Sequence, residues 1–212
     1  MRSILLAVIL SSMVSVLAVE PVFHFDFAEA DGKDSITDRT GNFTAKTTRG
    51  VFTVTDGKLR VAPGAQIFIP DTRQEKADEQ MTVMAWILKK STPDAVPILF
   101  KGEYPYNTEF VFGVGWRYPR FCYKNETKQS SWKGIWYIGE FGSGTHYPIG
   151  KNFEKAGAKL IESSGYWHHL AAVFDRGNVQ IFLDGDLTAE AKVTTPEKLF
   201  TNDLPFWIGG ER

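Results

Sequence analysis

Short runs of alternating apolar and polar residues, separated by turn-forming residues, extend along most of the chain. In residues 23–27 three phenylalanines alternate with a histidine and an aspartate, which is the period of a half-buried β-strand. Residues 81–87 carry apolar side chains on both faces, which predicts a strand that is covered on both sides and central in its sheet. No window of the sequence shows the apolar spacing of an amphipathic helix. The pattern therefore predicts an all-β protein.

The clearest strand pattern lies in residues 166–187, which read YWHHLAAVFDRGNVQIFLDGDL. The first half of this segment is apolar on both faces of a predicted strand, and residues 179–183 present three apolar side chains to one face of a second strand. Turn-forming residues separate the two strands. Asp184 and Gly185 form a further turn signal, of the kind that requires positive φ. The segment predicts a meander that folds back at residues 186–190.

Residues 166–187 resemble a segment of the laminin-G-like, concanavalin A-like lectin and glucanase family. In that family a Trp-His-His start, an apolar strand, a turn and a second apolar strand ending in Asp-Gly recur together. The resemblance implies an all-β fold, a two-sheet antiparallel jelly-roll sandwich. It covers most of the chain, because further stretches follow the family's order: FHFDF (23–27), DRTGN (38–42), GKLRV (57–61), MTVMAWI (81–87), ILFKG (98–102) and FWIGG (206–210). A segment at about 118–165 is longer and more aromatic than the family usually has, so we treat it as an insertion.

The last residues differ from the resembled family. There, the Ile-Gly-Gly strand is usually followed by a glycine-rich loop and a closing strand that pairs with the first strand, whereas this sequence stops at Arg212. We expect either a truncated chain, which we favour, or another segment in the place of the closing strand. In the first case residues 22–27 would have an open edge, which carries a risk of self-association.

Residues 1–18 have the pattern of a secretory signal. Arg2 provides a positive start, the 15 residues from Ile4 to Ala18 are mostly apolar, and small residues precede the expected cleavage site. The run is shorter than the roughly 20 residues of a membrane-spanning helix. We therefore expect a single domain at 19–212 that is not inserted in a membrane after signal cleavage, and a secreted, periplasmic or cell-surface location.

Charge and cysteine content narrow the possible partners and the sources of stability. The chain has 24 Lys and Arg against 25 Asp and Glu, without a basic cluster, so we expect no nucleic-acid partner. Cys122 is the single cysteine, which excludes an intrachain disulfide. The core must therefore supply the stability, and an aromatic content of 14% is consistent with a large apolar core.

The resemblance includes enzymes that cleave glucans with carboxylates on one strand of the concave sheet. Two carboxyl groups must then face each other across the sugar, about 5–9.5 Å apart. The Glu-x-Asp-x-x-Glu pattern of the glucanases is absent from this sequence. Glu75, Asp78 and Glu79 lie in a polar, loop-like run, and Asp184 and Asp186 flank a turn. We expect no catalytic activity, and a glycoside hydrolase or other glycan-degrading enzyme remains the alternative.

Two sets of residues are candidate metal ligands. His168 and His169 are adjacent on a predicted strand and point to opposite faces, which favours packing roles over a shared ion. Asp38 and Asn42 bracket a Thr-Gly pair, where side-chain and backbone oxygens could converge on a structural calcium ion, which takes six to eight oxygen ligands. The alternative is an Asx-type turn in which Asp38 caps its own backbone.

The predicted insertion contains the candidate carbohydrate-binding residues. Between Tyr118 and Tyr147 aromatic residues alternate with glycines and amide side chains, and sugar rings stack their C–H faces on aromatic rings. The candidate binding residues are Trp132, Trp136, Tyr137 and Tyr147. The alternative is that these aromatic residues pack an extra hairpin onto the sandwich.

The sequence thus predicts a secreted carbohydrate-recognition or surface-adhesion module without catalytic activity, whose partner is a glycan or polysaccharide. A structural or protein-interaction domain is a further alternative, with a protein partner or a parent multidomain chain. Such a domain would show a broad exposed apolar patch or an open pairing edge.

Overall fold

The computed structural model describes the core of the chain in several stretches. They comprise residues 23–27, 35–49, 52–62, 65–71, 78–88, 95–103, 107–115, 118–126, 128–135 and 165–209. Within these residues no helix has the length and apolarity needed to cross a membrane.

The described stretches form 14 strands. In chain order they are β1 (Ser35–Thr37), β2 (Thr44–Arg49), β3 (Phe52–Thr55), β4 (Lys58–Val61), β5 (Gln66–Ile69), β6 (Gln80–Leu88), β7 (Ala95–Glu103), β8 (Asn107–Gly115), β9 (Tyr118–Asn125), β10 (Lys128–Ile135), β11 (Trp167–Asp175), β12 (Asn178–Leu183), β13 (Asp186–Ala191) and β14 (Phe206–Ile208).

Two antiparallel sheets and one hairpin contain all of these strands. The larger sheet has eight strands in the order β1-β2-β5-β14-β7-β8-β9-β10, and the smaller has four in the order β13-β12-β11-β6. Strands β3 and β4 form a separate hairpin. The all-β, two-sheet antiparallel architecture predicted from the sequence is confirmed.

The predicted meander of residues 166–187 is also confirmed. Strand β11 pairs with β12, and β12 with β13. Both connecting turns contain two residues with positive φ: Arg176 and Gly177 at 47° and 93°, and Asp184 and Gly185 at 54° and 88°. This is the backbone of the mirror-image turns that match the right-handed twist of paired strands.

The core lies between the two sheets and is closed by aromatic contacts. Leu170, Ala172 and Phe174 of β11 face the eight-stranded sheet and are fully buried. The Phe174 ring meets the Tyr123 ring of β9 edge to face, with centroids 4.8 Å apart. Tyr123 belongs to the predicted insertion, but β9 and β10 are regular strands of the larger sheet. The first part of that insertion is therefore built into the sandwich.

Residues 23–27 pack as predicted but do not form the predicted strand. Their three phenylalanines contact the core, and Phe23 lies edge-on to both Phe43 and Phe206. The backbone belongs to no ladder and makes isolated long-range bonds instead, such as the one in which the His24 carbonyl accepts the Arg39 N–H at 2.7 Å. Burial of every second side chain thus does not require a paired strand.

Strand β6 was predicted to be central, and the described strands do not give it that position. Within the described residues it is the last strand of the four-stranded sheet, paired only with β11. Its apolar side chains on the second face do not meet another layer, since Met84 and Trp86 are exposed. Apolar residues on both faces therefore reflect an exposed apolar surface rather than burial.

Lys101 of β7 occupies the interior, where its side chain is fully buried. Its ammonium nitrogen lies 2.9 Å from a carboxylate oxygen of Asp71 and 3.2 Å from one of Glu109. It also donates to the Asn202 carbonyl at 2.7 Å, to the Asn202 side-chain oxygen at 3.0 Å and to the Leu204 carbonyl at 3.0 Å. Five oxygen atoms thus replace the water that a buried ammonium loses.

Gly102 lets the chain bend immediately after Lys101. The pairing of β7 with β8 shifts register between these two residues, as at a β-bulge. Gly102 has a φ of 106°, and a Cβ there would lie 2.1 Å from the Asn107 carbonyl oxygen. Only glycine fits this position, since any side chain would push β8 away from the site that Lys101 occupies.

Replacement of Lys101 by methionine tests the importance of the buried ammonium. The Lys101→Met variant keeps most of the side-chain volume but leaves two carboxylates buried without this cation. We expect the free energy of unfolding in urea to fall by about 3–5 kcal/mol. Lys46→Met, at an exposed position on β2, should change it by less than about 0.5 kcal/mol. A loss below about 1 kcal/mol in Lys101→Met would contradict this role.

Candidate functional site

The outer face of the four-stranded sheet divides into an apolar half and a polar half. Side chains alternate along each strand, so those next to the buried core residues point outward. One row across all four strands consists of the cross-strand partners Met84, Ala171, Phe182 and Leu187. In the other half, outward positions carry polar groups such as Gln80 and Asp175, which hydrogen-bond at 2.9 Å.

Large exposed apolar side chains of the described residues concentrate at the apolar half of this face. Met84 is 60% exposed, Trp86 66%, Trp167 41% and Leu187 47%, and Tyr166, directly before β11, is 71% exposed. At about 150–250 Å² per aromatic side chain, their exposed area is on the order of 500 Å². The largest apolar patch on a typical soluble monomer has about this size, roughly 300–600 Å², and is often functional. We call the part formed by Trp167, Trp86 and His169 the aromatic end.

The rings of the aromatic end sit on paired strands. Trp86 of β6 is the cross-strand partner of His169 on β11, and their ring centroids are 5.1 Å apart with the planes tilted by 55°. Trp167 is two residues before His169 and pairs with Leu88. Side chains carried by regular strands are held more precisely than those on loops.

Asp184 fixes the strand that carries His169 and Trp167. Its backbone N–H donates to the His169 carbonyl at 2.8 Å, and one carboxylate oxygen accepts the His169 N–H at 2.9 Å. The other carboxylate oxygen lies 2.8 Å from Nδ1 of His168. The two histidines therefore differ in role: His168 contacts the turn aspartate, and His169 contributes its ring to the outer face.

Sequence reasoning missed the aromatic end, although its residues were visible. The apolar outward positions of residues 81–87 were interpreted as a buried second face. A strand with both faces apolar is ambiguous from sequence, because local periodicity reports alternation and not what covers each face.

Trp132 is a sequence-predicted sugar-binding residue that the structure describes. It lies on β10, the last strand of the larger sheet, opposite Lys124 of β9. The Lys124 ammonium lies 5.0 Å from the Trp132 ring centroid, a cation–π contact. Burial lowers the pKa of Lys124. One face of the half-buried Trp132 ring is therefore next to a cation.

The other three candidate residues, Trp136, Tyr137 and Tyr147, lie outside the described residues. A carbohydrate-binding site at these four residues therefore stays a prediction.

The Asp38 carboxylate accepts four hydrogen bonds from donors in and around its loop. One oxygen accepts the backbone N–H groups of His24 at 3.1 Å and Thr40 at 3.0 Å together with the Thr40 hydroxyl, and the other accepts the Phe43 N–H at 2.9 Å. Burial would raise the pKa of Asp38, but these bonds hold it below its usual 3.8. This is the Asx-type alternative.

Hydrogen-bond donors around Asp38 do not suit a calcium ion, which would have to displace them. Asn42, the second predicted ligand, is exposed. In the described stretches no three His, Cys, Asp or Glu side chains come together as a metal site would require. Calcium at Asp38 and Asn42 stays a prediction, for which the present side-chain arrangement is a poor fit.

A family model described as the Concanavalin A-like lectin/glucanases superfamily matches residues 62–212. None of the curated protein sequences matches the chain.

Several solved structures have a similar fold. Domain 4 of AbnA, a GH43 extracellular arabinanase from Geobacillus stearothermophilus in complex with arabinotriose, has a TM-score of 0.58 at 20% identity, over 88% of this chain and 81% of that one. The binding domain of Paraclostridial Mosquitocidal Protein 1 gives 0.58 at 13%, over 88% and 44%. The Botulinum neurotoxin serotype D binding domain gives 0.52 at 12%, over 90% and 43%. This chain spans less than half of the two toxin structures, and the similarity confirms the jelly-roll fold.

The pH dependence of stability tests the role of Asp38. Because its folded pKa is lowered, its contribution is present above the unfolded value near 3.8 and is lost as the pH falls through the folded pKa. We expect Asp38→Ala to reduce the free energy of unfolding by about 2–3 kcal/mol at pH 7, and the difference from the parent protein to shrink below about pH 4. A difference that stays constant down to pH 2 would contradict this role.

Addition of EDTA to the same two proteins tests the calcium prediction. If calcium binds at Asp38, EDTA lowers the melting temperature of the parent protein and leaves Asp38→Ala unchanged. No shift in the parent protein would remove calcium from this loop.

Proposed function

The chain belongs to the concanavalin A-like lectin/glucanases superfamily, and on this premise we propose that it is a carbohydrate-recognition module without catalytic activity, whose glycan binds at the aromatic end. The observation that carries the proposal is the exposure of Trp86 on a paired strand, beside His169 and near Trp167. The signal-like residues 1–18 support export, where such a module would meet extracellular glycans.

Stacking is the physical basis of the proposed binding. The face of an indole ring is negative, so the slightly positive C–H groups on one face of a sugar ring pack against it. Trp86, two-thirds exposed, offers such a face with little loss of side-chain freedom on binding. The His169 ring, opposite Trp86 on β11, is a polar group at the border that can bond sugar hydroxyls.

A structure of similar fold supports the proposal. Domain 4 of the Geobacillus stearothermophilus arabinanase was solved with arabinotriose. At its level of identity this supports the proposal through the fold only, so the ligand's chemistry and site have to be argued from this chain's own residues.

The contacts of the described carboxylates support a role in binding rather than catalysis. Asp71 and Glu109 are buried around Lys101, and Asp184 is bonded to both histidines. Asp175, on the polar half of the outer face, contacts Gln80 and Arg176. None of these arrangements places a carboxylate pair across an open cleft, as glycoside hydrolysis requires.

The breadth of the apolar half favours a second candidate function, a protein-interaction domain. Met84 and Leu187 are exposed but offer no flat ring for a sugar, and they suit an apolar protein surface equally well.

Alanine substitution of Trp86 tests the proposed glycan site. A glycan array would first identify a ligand of the parent protein, and calorimetry would then compare the variants. We expect Trp86→Ala to weaken binding at least tenfold, about 1.4 kcal/mol, because the stacking face is lost. Trp86→Phe should retain most of the affinity, and Thr82→Ala, on the polar half of the same strand, should leave it unchanged.

Trp132→Ala and Trp136→Ala test the competing site in the predicted insertion. A loss of binding in these variants, with Trp86→Ala unaffected, would move the glycan site to the predicted insertion. Failure of the parent protein to bind any glycan would favour the protein-interaction candidate.

A further inference from the structure

Lys101 and Asp71 bring an amine and a carboxyl group into contact inside the protein. The Lys101 ammonium nitrogen lies 2.9 Å from a carboxylate oxygen of Asp71, and both side chains are fully buried. Asp71 follows the end of β5 and Lys101 lies on β7, two strands that are separated in the sheet by β14. A primary amine and a carboxyl group are the two reactants from which an amide is made.

A third side chain, Glu109, provides a proton acceptor for the amine. A carboxylate oxygen of Glu109 lies 3.2 Å from the Lys101 nitrogen, and this side chain is also buried. The cross-strand pairing of β8 with β7 passes from Phe110 directly to Thr108, so Glu109 is the extra residue of a β-bulge. Bulges redirect a side chain and are over-represented next to active sites. Here the bulge accounts for a carboxylate that points at Lys101 from the middle of a strand.

Apolar side chains lie next to these charged groups. The Phe206 ring is buried, and its centroid is 5.3 Å from the Lys101 nitrogen. Phe110, the cross-strand partner of Lys101 on β8, is buried as well. Buried charges are unfavourable in such surroundings. Transfer of one proton from the ammonium to a carboxylate removes two charges and leaves a neutral amine, whose lone pair is a nucleophile.

We propose that Lys101 and Asp71 form an intramolecular amide bond, which crosslinks β7 to the end of β5. Glu109 takes one proton from the Lys101 ammonium, and the freed lone pair attacks Cγ of Asp71. The Nζ–Cγ bond forms and one Cγ–Oδ bond breaks. The departing oxygen leaves as water with two protons, one from Glu109 and one from the Lys101 nitrogen. Ammonium and carboxylate thus become amide and water, and Glu109 ends as a carboxylate, as it began.

Two physical effects favour this reaction inside the fold over the same reaction in water. The fold holds the two groups in contact, and well-oriented groups react as if at an effective concentration of about 10⁵–10⁸ M. The reaction also replaces a buried ion pair by a neutral amide, so the cluster of Lys101, Asp71 and Glu109 keeps one charge instead of three. Because desolvation offsets much of the attraction within a buried ion pair, the loss of two charges favours the product.

Asn202 is the competing electrophile, because its side-chain oxygen lies 3.0 Å from the same nitrogen. The Asn202 amide has two further contacts: its oxygen accepts the Leu204 N–H at 2.9 Å, and its nitrogen donates to the Asn107 carbonyl at 2.9 Å. Reaction at Asn202 would release the nitrogen that makes the second of these bonds. We therefore assign the bond to Asp71. The two products differ in mass, since Asn202 would release ammonia instead of water.

The crosslink is independent of the proposed glycan binding. Lys101 is buried on β7, whereas the aromatic end lies on the outer face of the four-stranded sheet, so either proposal can fail without the other. An amide bond would add to the loss of stability that is expected for Lys101→Met. Covalent mass, rather than stability, is therefore the measurement that decides.

Mass spectrometry of the purified, denatured parent protein tests the bond. We expect the intact mass to be lower by one water molecule than the mass calculated from the sequence. Trypsin does not cleave after a lysine whose side chain is an amide, so digestion should give residues 61–73 and 91–117 as one branched peptide. Cleavage after Lys101 throughout the sample, whatever the intact mass, would overturn the proposal. Loss of one ammonia, with Asn202 in the branched peptide, would overturn the assignment to Asp71.

Two variants separate the nucleophile from the proton acceptor. Lys101→Arg keeps a buried cation without a primary amine and should have the full calculated mass. Glu109→Gln keeps the shape of the side chain but cannot take the proton, so the bond should form at least tenfold more slowly, followed by mass at intervals after cell-free synthesis. Glu103→Gln, at an exposed position of β7, is the matched control and should react at the rate of the parent protein. Reaction of Glu109→Gln at that same rate would contradict the role of Glu109. The branched peptide of the parent protein decides the proposal even where a variant does not fold.

Discussion

The ammonium group of Lys101 holds four segments of the chain at one point inside the sandwich. Its oxygen partners come from the end of β5, from β8 and from the segment that leads into β14. Strand β14 lies between β5 and β7, so it can take this position only if those segments converge. A buried ion pair often adds little net stability. Its importance here is that an incorrectly placed β14 would leave charges without partners.

The surface proposed for glycan binding lies on the four-stranded sheet, which does not contain the Lys101 cluster. The eight-stranded sheet carries the buried charge cluster and most of the buried aromatic residues that the structure describes. In the four-stranded sheet, the core-facing residues of β11 and β12 are fully buried, whereas those of β6 are only partly buried. Residues at its outer face and edge can therefore change without disturbing the Lys101 cluster. This separation is consistent with one fold serving different ligands through residues that the core does not need.

Local sequence patterns were sufficient to predict the meander of residues 166–187 and its turns, because strand alternation and positive-φ turns depend on neighbouring residues. Local patterns do not predict the burial of Lys101, because a lysine is usually found at the surface. Its partner Asn202 is 101 positions away and therefore outside any local window. Local patterns failed for β6 for a related reason: alternation does not reveal whether a second layer or a further strand is present. The aromatic end was consequently missed, while Trp132 was identified from composition and found half-buried beside a lysine.

The contacts of Asp184 limit what the Trp-His-His and Asp-Gly pattern indicates about a protein. Its carboxylate accepts a backbone N–H of β11 beyond the last paired residue of β12, so a side chain continues the ladder where the main chain has already turned. Because Asp184 also has positive φ, few residue types besides aspartate and asparagine meet both demands. The demands on this position come from backbone geometry and do not involve a ligand. Two proteins that share the pattern can thus be recognised as relatives while binding chemically unrelated molecules.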